Sequence, residues 1–190
     1  MINPKSKPQN PKPVDASLEV DRELARRILD GDREALGRWL DRHLSTVYGY
    51  AARRLGPGHE EGAADVARAT FGDALGHLRP YARGTASTPM RLWLLRLAGK
   101  RLGDEHIAQD ESTPSNRMEE GPPSLAGLRE ALGRLPHRQQ AVMSLALFEG
   151  LVPEEIAAAS GLRLPRAMRQ LRSALKRIGR YLDTQKAMEP

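Results

Sequence analysis

The chain of 190 residues contains no cysteine, only two phenylalanines and two tryptophans, and no apolar run long enough to cross a bilayer. Without thiols there can be no disulfide, thiolate metal centre or cysteine nucleophile, and a reducing compartment is acceptable. The opening MINPKSKPQNPKPV carries lysines but no apolar stretch, so it does not read as a signal peptide. Without such a span no membrane insertion is expected, and the expected location is cytoplasmic. Catalytic signatures are also missing. His43, His59, His77, His106 and His137 are scattered, and His59-Glu60-Glu61 lacks the second histidine of a zinc-protease helix. Asp73 and His77 stand one helical turn apart, where a surface ion pair is a simpler reading than a shared metal. There is no glycine-rich phosphate loop. The sequence thus offers no catalytic residue, no metal site and no cofactor, and the chain is not read as an enzyme.

Period-two alternation is missing as well, which leaves an all-α chain. Residues 1–18, with four prolines and three lysines, read as a disordered basic tail. Helical stripes follow over 19–106. Leu24, Ala25, Ile28 and Leu29 end at Gly31, and Asp32 is placed to cap a long helix from Ala35 to Leu55. A third helix is expected over about 60–79, then a loop, YARGTAST, and a fourth helix capped by Thr88 with Pro89 at its first position. Trp93, set among leucines, is read as core rather than as a stacking platform. Residues 107–123 hold four acids, prolines and few apolar side chains, a flexible linker. Four short helices over 124–184 complete two small helical domains, the second containing a helix-turn-helix.

One further absence is the most informative. RLPRAMRQLRSALKRIGR, residues 163–180, has seven Arg or Lys and no acid. At about 100° per residue, Arg163, Arg166, Arg169, Arg172, Lys176, Arg177 and Arg180 share one half of a helical wheel. Leu164, Ala167, Met168, Leu171, Ala174, Leu175 and Ile178 share the other. Residues 19–106 nearly balance, with fifteen bases and thirteen acids, whereas 122–184 hold ten bases and five acids, so the surplus belongs to the second domain. Such asymmetry suits a polyanion. Pro153 opens a short helix with Ile156 and Ala157 inside, and Gly161 supplies the turn into the basic helix: a helix-turn-helix whose second helix enters the DNA major groove. Arg166, Arg169 and Gln170, near its start, can reach base edges, while Arg172, Lys176 and Arg180 suit phosphates. An anionic lipid surface is disfavoured because the apolar half lacks Trp and Phe.

LGRLPHRQQAVMSLALFEGLVPEEIAAASGL, leading into this helix, resembles the fourth region of bacterial sigma factors. GDREALGRWLDRH, AADVARATFGDAL and MRLWLLRLAGKRLGDE resemble their second region, and two such domains on a linker resemble the extracytoplasmic-function (ECF) group of the sigma-70 family. The resemblance implies that promoter DNA and core RNA polymerase are partners, with an anti-sigma factor a further one. By the same resemblance, Asp65, Val66, Arg68, Thr70 and Phe71 would dock on polymerase. Arg83, Thr85, Arg91, Arg96 and Lys100 would engage the minus-10 element, and Arg163, Arg166, Arg169, Gln170, Arg172 and Lys176 the minus-35 element. Relatives usually carry Arg-Asn where Gly99-Lys100 stands and a basic run where EHIAQDE stands. A sigma-like regulator that does not melt promoters, or a helical interaction module, therefore remain as alternatives.

Overall fold

Two segments, residues 13–103 and 123–188, are described by the computed structural model, and every regular element within them is an α-helix. Residues 1–12, 104–122 and 189–190 lie outside the described residues, and with them nearly all of the expected linker, 107–123. The N-terminal half comprises α1 (Pro13–Leu29), α2 (Arg33–Leu55), α3 (Glu60–Leu75), the single-turn α4 (Arg79–Ala82) and α5 (Met90–Arg101). The C-terminal half comprises α6 (Pro123–Gly133), α7 (His137–Leu147), α8 (Pro153–Ser160) and α9 (Leu164–Met188).

Local chemistry explains most boundaries. Asp32 caps α2 as expected, its Oδ1 accepting from the Glu34 and Ala35 amides at 2.9 and 3.0 Å. Gly56, at φ 85°, ends the helix in a conformation few other residues tolerate. Three expectations need correction. First, α1 begins within the segment read as a disordered tail, and Ser17 there has a partner: the Arg42 guanidinium of α2 donates to Ser17 Oγ at 2.8 Å, as it does to buried Asp21 further along α1 at 2.9 Å. Second, α3 stops at Leu75, and a separate turn, α4, follows. Third, Pro89, not Thr88, occupies the cap position of α5, with no side-chain cap. The Thr88 carbonyl instead accepts from the Tyr81 hydroxyl at 2.9 Å, which ties the loop back onto α4.

The core centres on Trp39. Its indole is fully buried, donates from Nε1 to Met90 Sδ at 2.7 Å and meets Phe71 edge-on, with ring centroids 5.1 Å apart. The same apolar cluster runs through Leu94, Leu95 and Ala98 of α5 and continues into Val142, Leu145, Ile156, Ala159 and Ala167 of the C-terminal half. The two halves are therefore packed on one another, α5 against α8 and α2 against α7. Alanines at 157–159 keep α8 slender enough to lie close to both α5 and α9. A second, smaller cluster, including Leu135, Met143, Ala174 and Ile178, joins α6, α7 and α9.

Candidate nucleic-acid interface

The turn between α8 and α9 is built by backbone geometry. Gly161 sits in the left-handed region at φ 65°, and the Leu162 amide reaches back to the Ala157 carbonyl at 2.9 Å, closing α8 with a Schellman-type turn. At the other end of α8, the Val152 amide donates to Glu155 Oε2 at 3.1 Å. The Arg163 carbonyl then accepts from the Arg166 and Ala167 amides, starting α9. A short helix, a glycine turn and a longer helix thus follow one another, and Gln139 of α7 braces α9 by donating to Ser173 Oγ at 3.1 Å.

On α9 the apolar half of the wheel is covered more narrowly than expected. Ala167, Ala174 and Ile178 are buried, whereas Leu164 and Leu175 are exposed at its edges. The basic half is exposed throughout: Arg163, Arg166, Arg169, Arg172, Lys176, Arg177 and Arg180 all face solvent, with Gln170 half-buried beside them. Among the described residues none of these seven cations forms an ion pair with a carboxylate, so their charge is uncompensated. A row of cations without carboxylate partners among the described residues, on a helix seated by Ala167, Ala174 and Ile178, is a surface suited to phosphates.

The minus-10-like residues are placed differently. Arg83 and Thr85 are exposed on the loop after α4, where Thr85 Oγ1 donates to the Pro80 carbonyl at 3.2 Å. Gly84, at φ 67°, leaves room for the Arg22 guanidinium, which a Cβ there would meet at 2.6 Å. Beside this loop opens a cavity of about 580 Å³ lined by His77, Tyr81, Ser87, Thr88, Trp93 and Lys100, among others. Trp93 packs against the core, as expected, yet also lines this cavity, its ring 5.0 Å from that of Tyr81. Burial, and secondarily the Asp21 charge, pushes the Tyr81 phenol above its ordinary range, so it stays a hydrogen-bond donor.

Arg91, Arg96 and Lys100 lie on α5, which faces the other half. Arg91 is half-buried and donates to both the backbone oxygen and the carboxylate of Glu149 at 3.1 Å. Arg96 is exposed but runs along Gly161, where a Cβ would stand 3.2 Å from its Nε. Of the residues expected on the polymerase face, Asp65 and Arg68 are exposed and paired with each other, and Val66 is half-buried. Thr70 and Phe71 lie in the core: Thr70 Oγ1 donates to the Val66 carbonyl at 2.7 Å, and Phe71 packs on Trp39. They shape α3 from beneath and present no surface to a partner. Asp73 pairs with Arg101 rather than with His77, whose ring bonds the Asp73 carbonyl. No cluster able to hold a metal occurs among the described residues, and no described helix is long and apolar enough to cross a membrane.

Sequence reading missed Arg53, Arg54 and Glu149. Arg53 pairs with Glu149, and Arg54 donates to Gln140 Oε1 at 3.2 Å. Glu149 is the sole acid between Glu130 and Glu154, which marks it as unusual, but nothing in the sequence names a partner 96 positions away.

No protein-family model matches the chain. A curated relative, the ECF RNA polymerase sigma factor BldN of Streptomyces coelicolor, is 27% identical over 154 residues, which is 73% of this chain. The chain spans 57% of that relative's own length. Among solved structures, that of CnrH in complex with the cytosolic domain of CnrY superposes with a TM-score of 0.62 at 24% identity, over 87% of this chain and 98% of CnrH, and shows the same fold. In sequence this chain is thus similar to an ECF RNA polymerase sigma factor, and in fold it is similar to CnrH.

Proposed function

We propose that this chain binds core RNA polymerase and directs it to promoters, with α9 reading a minus-35 element and the α4–α5 region engaging a minus-10 element. The observation that carries this reading is the exposed, carboxylate-free basic face of α9, seated on a helix-turn-helix in a chain similar to an ECF sigma factor. In this reading Arg166, Arg169 and Gln170 contact base edges, and Arg163, Arg172 and Lys176 hold phosphates. Arg83 and Thr85 belong to the loop whose Ser87 and Thr88 line the cavity beside Trp93, a place where an unpaired base could lodge, with Arg91, Arg96 and Lys100 on α5 guiding the strand by charge. Asp65 and Arg68, with the edge of Val66, offer the polymerase-docking face of α3. The chain supplies recognition, and the polymerase supplies the chemistry.

The neighbouring CnrH structure contains the cytosolic domain of CnrY, which favours a comparable anti-sigma partner for this chain. Transcription in vitro with purified core polymerase and a promoter library tests the whole reading. Initiation at a subset of templates sharing two spaced elements is expected. Polymerase binding with no initiation on any template would replace it with a regulator that occupies polymerase without melting DNA.

A further inference from the structure

Glu149 is a buried carboxylate of the C-terminal half that pairs with the N-terminal half. Its side chain is 6% exposed, although it lies in the connection between α7 and α8. Two guanidiniums from the other half close on it: Arg53 near the end of α2 and Arg91 at the start of α5. The arginines are held ready for such an anion. Gly49 makes room for Arg53, since a Cβ at that position would stand 3.0 Å from its guanidinium, and Phe148 lies beneath the same group with its centroid 5.5 Å away. Arg53 Nε, buried, has no acceptor among the described residues, so the fork has a donor to spare. Two arginines converging on one anion is an arrangement suited equally to a carboxylate or a phosphate, because the planar fork matches the oxygens of both.

We propose that Arg53 and Arg91 form an anion site for a nucleic-acid phosphodiester and that Glu149 occupies this site from within the chain, so that DNA and the packed arrangement of the two halves compete for the same pair. This rests on the reading of the chain as a promoter-binding protein and adds to it a contact, Arg53, and an internal competitor, Glu149. The ligand is DNA rather than an acidic protein because Arg91 lies on the same helix as Arg96 and Lys100, beside the cavity-bearing loop, while α9 carries a second cationic track for the same polymer. Glu149 is then a stand-in for phosphate. Displacing it releases the connection between α7 and α8, and with it the contact of α8 on α5.

The absence of native cysteine makes the test direct. Cysteines replacing Gly72 and Gly179, positions with open space around a Cβ, carry spin labels on the two halves of the full chain. Glu149→Gln, nearly isosteric, is expected to lengthen and broaden the label distance, to raise affinity for single-stranded and duplex DNA several-fold at low salt, and to steepen the salt dependence by about one. DNA added to the unsubstituted labelled chain is expected to lengthen the distance in the same way, and Arg53→Ala placed on Glu149→Gln to cancel the gain in affinity. A longer distance with unchanged DNA affinity makes Glu149 a structural clamp and overturns the proposal. So does opening of the unsubstituted chain by an acidic peptide but not by DNA. The readouts need no polymerase. Tighter DNA binding by Glu149→Gln without promoter-directed transcription removes the sigma reading and keeps the anion site, whereas transcription with Glu149→Gln binding DNA as the unsubstituted chain does removes the site alone.

Discussion

Two arginine-bearing helices behave in opposite ways. On α9 the cations project into solvent without acidic partners, whereas on α5 Arg91 is drawn against the other half of the molecule by Glu149, in company with Arg53 of α2. Both helices carry wet faces by composition. The difference is what lies opposite: among the described residues no carboxylate pairs with the basic face of α9, whereas a buried carboxylate meets α5. A basic helix face is thus a surface for a partner only after the rest of the chain has declined to cover it.

The most disruptive way to break this contrast is to unseat both helices together. Ile156 of α8 is almost fully buried in the cluster shared with α5 and α9. Ile156→Ala should cost about 2–5 kcal/mol of stability, read by denaturant unfolding, because a buried cavity replaces the side chain. A loss below 1 kcal/mol would mean that the shared core is looser than the geometry requires.

Single arginines sharpen the contrast next. Arg53→Ala leaves Glu149 buried with half its compensation and should destabilise the chain by about 1.5–3 kcal/mol, toward the lower figure because Arg53 is partly solvated. Arg172→Ala on α9 should change stability by less than about 0.5 kcal/mol. Equal effects in thermal unfolding would erase the distinction between the two faces.

Within α9, Arg169→Ala should lower duplex affinity by about 1–3 kcal/mol and relax preference at one base pair. Lys176→Ala should weaken all duplexes alike and flatten the salt slope by about one. Identical behaviour of the two in salt-titrated binding to a sequence library would deny the division between base and backbone contacts.

The smallest effect concerns an ion pair local to one half. Bonding from the Ala35 amide, then from the Arg27 guanidinium, holds the Asp32 carboxyl below its ordinary value of 3.8. A carboxylate depressed in this way adds stability that is present above the unfolded value and disappears as pH falls through the lower, folded one. Asp32→Asn, which keeps the capping oxygen, should therefore alter unfolding little at pH 7 and reduce the loss of stability on acidification below about pH 4. An unchanged acid limb in melts across that range would show that the charge at the cap is not felt.

Much of this architecture was legible in advance because it is local. The Asp32 cap, the turn at Gly161 and the burial of Ala167, Ala174 and Ile178 follow from short-range hydrogen bonding and a helical period. Periodicity overstated the width of the covered face, however, leaving Leu164 and Leu175 in solvent, since a wheel gives a direction and not the size of the neighbours that fill it. Resemblance to a family pattern likewise brought Thr70 and Phe71 into a docking face, although α3 buries both, Phe71 against Trp39. The contact of Arg53 with Glu149 had no local signature at all.

By itself the sequence determined the helical class, the glycine turn between α8 and α9 and the segregation of cations along α9, each of which depends on interactions within a few residues. Only the tertiary structure decided which basic surface stays open and which is closed by Glu149. That choice rests on packing between segments far apart in the chain, where burial of Val142, Leu145 and Ile156 against the N-terminal helices carries a carboxylate to the arginines that receive it.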